Sequence, residues 1–158
     1  MILPPTDQRW DMVCRVNSDP MAQPRARAVA RVINGVPIAN VYGAPKRHPI
    51  HGFKQAVLRS ARAAHGSPML CEPLRVDIVA IFKRPKSIKR PAGRLMKTTK
   101  PDADNVIKAI LDALNGVWWQ DDKFICQLNY SAWISALNEE PHLIVRVERL
   151  DKQQAIFE

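Results

Sequence analysis

Residues 100–122 read KPDADNVIKAILDALNGVWWQDD, and the reading of this stretch decides most of the architecture of the 158-residue chain. Ala103, Val106, Ile107, Ile110, Leu111 and Leu114 recur at i, i+3, i+4 and i+7, which predicts an amphipathic helix from about Asp104 to Asn115. Gly116 is placed to stop it, because glycine adopts the left-handed conformation that closes a helix. Each helical residue turns about 100°, so Asp104, Lys108, Asp112 and Asn115 fall on one polar stripe. Asp102 and Asp104 follow Pro101 at the helix start, where free N–H groups and the helix dipole stabilise anions. An Asp104–Lys108 ion pair fits the spacing, but such a pair contributes only about 0.3–0.5 kcal/mol at a surface.

Outward from this helix the pattern changes period. Residues 74–82, LRVDIVAIF, alternate with a period of two and become apolar on both faces, which predicts a central strand. Residues 11–17 and 125–135 alternate as well, and so does HLIVRVERL near the end; the last two are expected to pair as a hairpin around Asn138–Pro141. Asn34-Gly35 suits a type I′ turn between VARVI and VPIAN. From Pro49, Ile50, Phe53, Ala56, Val57, Ala61 and Ala64 mark a second helix, ended by Gly66-Ser67-Pro68. Residues 83–100 hold eight Lys or Arg, no acid, two prolines and a glycine, and are expected to form a long, mobile basic loop. The fold class predicted is α+β: one domain over residues 1–158, with a mixed or antiparallel sheet of about five strands packed with two main helices.

The chain carries 24 Lys and Arg against 15 Asp and Glu, a formal charge of +9. That excess favours binding to nucleic acid or an anionic membrane, with a merely solvated basic surface as the plain alternative. The three cysteines, Cys14, Cys71 and Cys126, have neither CxxC nor zinc-ligand spacing and read as small buried hydrophobes in a reducing compartment. No charged leader precedes a long apolar run and no membrane span is evident, so a cytoplasmic protein is expected. His48, His51, His65 and His142 lack ligand spacing.

Against this basic background the acids of residues 102–122 stand out. A twelve-residue helix is about 18 Å long, and an extended 116–122 segment spans about 20 Å, so Asp121 or Asp122 could fold back beside Asp102 and Asp104. Clustered carboxylates repel unless a cation joins them. Magnesium suits such oxygens and commonly shares them with phosphates, where it activates water or stabilises transition-state charge. Lys108 would add a fixed positive charge towards the reacting phosphate. The plain alternatives are that Asp102 or Asp104 caps the helix and that Asp121-Asp122 is an ordinary turn.

The wording of the segment is more specific than its chemistry. PDADNVIKAILDALNG followed by WWQDDKFI closely resembles the motif of the RusA family of Holliday junction resolvases, with QPRARAV and LRVDIVAIFKRPKS agreeing more loosely. The resemblance implies catalytic Asp102, Asp104, Asp122 and Lys108, with Asp102, Asp104 and Asp122 holding Mg2+ and Asp121 as a further candidate ligand; Mn2+ is the alternative ion. It also implies a homodimer that makes paired symmetric nicks in branched DNA, a four-way junction. DNA contacts are expected from Arg25, Arg27, Arg31, Lys46 and Arg47, and from Lys83, Arg84, Lys86, Lys89, Arg90, Arg94, Lys97 and Lys100 of the basic loop. Competing readings are a basic DNA-binding protein without catalysis and a nuclease for flaps or other branched DNA. Of Trp118 and Trp119, one is expected to pack under the turn, with wedging between bases the lesser alternative; Phe82, Tyr130 and Trp133 are assigned to the core. Asn105 is expected to bond the helix start or orient an aspartate.

Overall fold

The computed structural model describes residues 10–65 and 69–150, so the expected Gly66-Ser67-Pro68 stop lies outside the described residues. Alternating side chains become strands where predicted: β1 (Met12–Val16), β2 (Arg27–Ile33), β3 (Val36–Tyr42), β4 (Leu74–Phe82), β6 (Ile125–Ile134) and β7 (His142–Arg149), with a short β5 (Leu95–Met96) not foreseen. The two periodic segments become α1 (Pro49–Ala64) and α2 (Ala103–Leu114). Five strands form one mixed sheet in the order β1-β7-β4-β6-β5, and β2 pairs only with β3. The class is α+β.

β4 is central, between β7 and β6, with one face covered along its length and the other only towards its end. Leu74, Val76, Ile78 and Ala80 are fully buried on one face and Ile81 on the other. Each such side chain contributes about 1.5–3 kcal/mol relative to exposure. Met12, Cys14 and Val16 of β1 and Leu143, Val145 and Val147 of β7 continue the first face. Ile50, Phe53, Val57 and Ala61 of α1 and Val106, Ala109, Ile110 and Leu114 of α2 close over it. The opposite face is wetter: Arg146 pairs with Asp77 at 3.1 Å and Arg75 with Glu148 at 3.7 Å.

The expected β6–β7 hairpin does not form. β6 runs parallel to β4, Leu74 opposite Ile125 and Phe82 opposite Ile134, whereas β7 lies antiparallel on β4's other side, with Ile81 opposite His142. Alternation identifies a strand without naming its neighbour. β4 has a neighbour on each edge, and a parallel neighbour needs a crossover, here supplied by α2. The 135–141 connection therefore passes over the end of β4, where the Ser135 N–H donates to the Phe82 carbonyl at 2.9 Å.

The Asn34-Gly35 turn is as predicted, with φ of 51° and 79°, the pair of positive values a type I′ turn demands. The β2–β3 ribbon it joins is exposed at every strand residue. Among the described residues no helix is long and apolar enough to cross a membrane.

Candidate active site

α2 begins at a residue that could have capped it and does not. Asp102 occupies the N-cap with extended backbone, φ −68° and ψ 141°, yet its carboxylate makes no capping hydrogen bond. It faces Arg25 instead, 3.5 Å away, with both side chains at least half exposed, so solvent screening keeps this pair weak. Arg25 is brought there by the backbone: the Gln23 N–H donates to the Asn105 carbonyl at 2.8 Å, tying the segment before β2 to the first turn of α2. Asn105 thus acts through its carbonyl. Asp104, two residues on from Asp102, is exposed and has no ion pair or hydrogen bond among the described residues.

The polar stripe of α2 exists as predicted, with Asp104, Lys108, Asp112 and Asn115 all exposed, but its pairing differs. Lys108 pairs with Asp112 at 3.4 Å and not with Asp104. Helical side chains lean towards the N-terminus, which tilts Asp112 back towards Lys108, and Lys54 of α1 holds it from the other side at 3.3 Å. Asp104 is left open, and Asp112 is occupied by two lysines.

Beside Asp102 lies a cleft of about 310 Å³, walled by Lys97, Thr98, Thr99, Lys100, Pro101, Ala103, Tyr130 and Ala132. Tyr130, assigned from sequence to the core, lines it. Burial pushes its phenol up to about 12, so the hydroxyl keeps its proton, and the group has no partner among the described residues. The sequence signal for this was the polar run Asn129-Tyr130-Ser131 in the middle of the strand.

Asp121 and Asp122 lie at the other end of α2. The chain does not extend back along the helix after Gly116. It closes a tight turn, with Val117 and Trp118 N–H groups donating to the Leu114 carbonyl and Gly116 N–H to Trp119. Asp121 then caps a 3₁₀ turn (Asp122–Phe124), accepting from Lys123 N–H at 2.9 Å. Asp122 is exposed and unpaired among the described residues. Ile125 starts β6, whereas the Asp102 cleft sits at Tyr130 and Ala132, five to seven residues along it, or about 17–23 Å. Among the described residues no three His, Cys, Asp or Glu side chains are close enough to share one ion. Asp102 and Asp104 nevertheless suit magnesium, which is commonly held by one or two carboxylates with water and phosphate oxygens completing the shell.

Trp118 and Trp119 are both fully buried, so neither can wedge between bases. The indole N–H of Trp118 donates to the Ala61 carbonyl at 3.1 Å, locking this end of α2 to α1. Phe82 is core as expected, and Trp133 is partly buried. Of the cysteines only Cys14 is buried, where desolvation pushes its thiol up to about 12. Cys71 and Cys126 are exposed, contrary to expectation, because one lies in a loop and the other at the uncovered start of β6.

The basic segment 83–100 is a strap and not a loose loop. Arg84 donates to the Ser135 carbonyl at 2.7 Å, to Ile88 at 3.2 Å and to Gly93. Arg94 grips Glu139 through the Nε and Nη2 edge of its guanidinium and holds its carboxyl down at about 2. Lys97 donates to the Thr99 carbonyl and hydroxyl at 2.9 Å and stacks its ammonium 4.9 Å from the Phe82 ring. β5 pairs the strap to β6. Lys83, Lys86, Lys89, Arg90 and Lys100 remain exposed, as do Arg25, Arg27, Arg31, Lys46 and Arg47. Arg84, Arg94 and Lys97, also expected on DNA, hydrogen-bond within the fold to backbone carbonyls, a carboxylate and a hydroxyl.

Residues 17–148 match the family model for endodeoxyribonuclease RusA. A curated relative, the uncharacterized protein YqaN of Bacillus subtilis (strain 168), is 32% identical over 106 residues, covering 62% of this chain and 72% of that protein.

Proposed function

The chain belongs to the RusA endodeoxyribonuclease family, and from that premise we propose that it is a magnesium-dependent nuclease of the cytoplasm that resolves four-way DNA junctions by paired symmetric nicks as a homodimer. The observation that carries the reading is Asp102: an N-cap aspartate left free of capping, next to an unpaired Asp104, in a basic frame. A magnesium ion held by Asp102 and Asp104 supplies Lewis acidity at a phosphoryl oxygen, and manganese has the same oxygen-ligand chemistry.

The chain's own residues do the rest. Arg25, 3.5 Å from Asp102, is positioned to trade that exposed pair for an incoming phosphate. Lys108, 65% exposed, offers an ammonium to the charge that develops on the leaving oxygen. Tyr130, Thr98 and Thr99 present hydroxyls to a nucleotide seated in the cleft, and the free cations of the strap hold flanking phosphates.

Asp122, the family's third acid, is about a helix length from the Asp102–Asp104 pair in its own chain, which supports a site completed by the Asp122 of a second protomer. A C2 dimer then presents two equivalent sites to a two-fold junction. Asp121 serves as the cap that holds Asp122.

The test is cleavage of a four-way junction, a flap and a plain duplex side by side with magnesium. Junction cleavage should dominate and should fall about a hundredfold or more in Asp102→Asn, while junction binding is kept or improved by the loss of a negative charge near phosphate. Equal cleavage of flap and junction would favour a general branched-DNA nuclease. Full activity of Asp102→Asn would remove the site assignment.

A further inference from the structure

The β2–β3 ribbon stands apart from the body of the chain. Neither strand hydrogen-bonds to the larger sheet, and no helix or other strand packs on it beyond a marginal touch. Every strand residue in it is exposed. An isolated two-stranded ribbon is marginal in water, and an exposed apolar surface on such an element marks a place where something binds.

Its two faces differ in kind. Cross-strand partners lie on the same side of a sheet, so the register puts Arg27 with Tyr42, Val29 with Asn40, Arg31 with Ile38 and Ile33 with Val36 on one face. That face carries five of the ribbon's seven exposed large apolar side chains, Val29, Ile33, Val36, Ile38 and Tyr42. It also carries both of the ribbon's arginines, and neither has an ion pair or hydrogen bond among the described residues. The other face is slimmer, three alanines with Val32, Pro37 and Val41. The surrounding charge is one-sided: from Pro20 to Cys71 the sequence holds eight Lys or Arg and no Asp or Glu.

A phosphate backbone alone would occupy the arginines and leave the aliphatic side chains in water. An apolar protein surface would do the reverse. A duplex groove offers both at once, with phosphates along its rims and base edges, including thymine methyls, on its floor. We propose that the Arg27–Val29–Arg31–Ile33–Val36–Ile38 face lies in the major groove of one duplex arm of the junction, its aliphatic side chains against base edges and its arginines on the bordering phosphates. This rests on the branched-DNA reading above and names where one arm of that substrate goes. Paired strands lie about 4.8 Å apart, so a ribbon with its side chains enters the roughly 12 Å major groove and not the roughly 6 Å minor groove. Seven residues span about 23 Å, the rise of roughly seven base pairs. Arg25, two residues before β2, faces Asp102. The ribbon therefore starts beside the candidate active site, and the groove it fills belongs to the arm next to the cut.

Binding of the full chain to a four-way junction without magnesium, with dimethyl sulfate probing of guanine N7 in the major groove, tests the proposal. The wild type should protect a run of about seven base pairs in the arm beside the cut, the cut being mapped separately with magnesium. Ile33→Ser with Val36→Ser should weaken junction binding about tenfold at an unchanged salt slope, because the change removes apolar contact and no charge. Arg27→Ala with Arg31→Ala should flatten that slope by about 1.8, two phosphates' worth. A third variant replaces residues 28–41 with a short Gly-Ser turn, which Arg27 and Tyr42, cross-strand neighbours, allow; the protection should vanish while the thermal midpoint of the body stays unchanged. Protection that survives the excision, or junction cleavage by a wild type that protects no guanine N7, overturns the groove arm and leaves the nuclease reading standing. Full affinity in the Ile33→Ser, Val36→Ser variant overturns it as well, and a shift of that variant's mass in sedimentation would identify the face as a protein contact. A wild type that neither binds nor cuts a junction overturns both readings.

Discussion

The two ends of α2 look alike in sequence, but their first aspartates are bonded differently. Each carries a pair of aspartates close together, Asp102 with Asp104 and Asp121 with Asp122. At the first end the N-cap carboxylate makes no capping bond and its neighbour is unpaired. At the second, Asp121 is spent on the Lys123 N–H and two tryptophans are sealed beneath the turn. Acidity alone therefore distinguishes nothing; what each carboxylate is bonded to does. A capping aspartate returns its hydrogen bond as stability, about 1 kcal/mol, and one that declines to cap remains available to a ligand.

The sharpest attack on this contrast is a mixing experiment. Asp102→Asn chains and Asp122→Asn chains are each expected to be inactive. Refolded together, mixed dimers regain one intact site if Asp122 serves the partner, and junction nicking should return to about a quarter of the wild-type level for statistical mixing of a symmetric dimer. A mixture that stays dead places Asp122 in its own chain's site or outside catalysis.

Next in size is Trp118→Ala, which should cost about 3–5 kcal/mol of stability in denaturant melts by opening a cavity between α1 and α2 and stranding the Ala61 carbonyl. Asp104→Asn at the other end should leave the melt unchanged while lowering cleavage. Smallest is Asp121→Ala, expected to remove about 1 kcal/mol with the loss of the cap. If Asp121→Ala instead abolished cleavage at unchanged stability, the division between the ends would fail.

Much of the fold was legible because burial imposes a period. Val106, Ile110 and Leu114 fixed α2, and Val76, Ile78 and Ala80 fixed β4, both to within a residue of their bounds. Neighbours were not legible: nothing local in residues 125–149 says that β4 will come between β6 and β7. Nor does composition reveal where a cation's donors go. Arg84 and Lys86 are both basic residues of one segment, yet one is wrapped in carbonyls and the other is free. At the candidate site, the residues were readable from the motif, while the separation of Asp122 from Asp102 depended on a tight turn at Gly116 whose alternative, an extended return, fits the same letters.

The strap's internal bonds also set how the protein should answer to salt. Binding to DNA releases condensed counterions, and affinity falls with salt at a slope of about 0.9 per phosphate neutralised. Eight cations lie in residues 83–100, but Arg84, Arg94 and Lys97 have partners of their own. Only Arg94 is matched by an anion, Glu139, so a titration of junction affinity against potassium chloride should show a slope about 0.9 shallower than the charge count of the strap implies. Glu139→Gln, which frees Arg94, should steepen it by about one contact's worth. Folding has matched one of these eight charges with an anion before any DNA arrives.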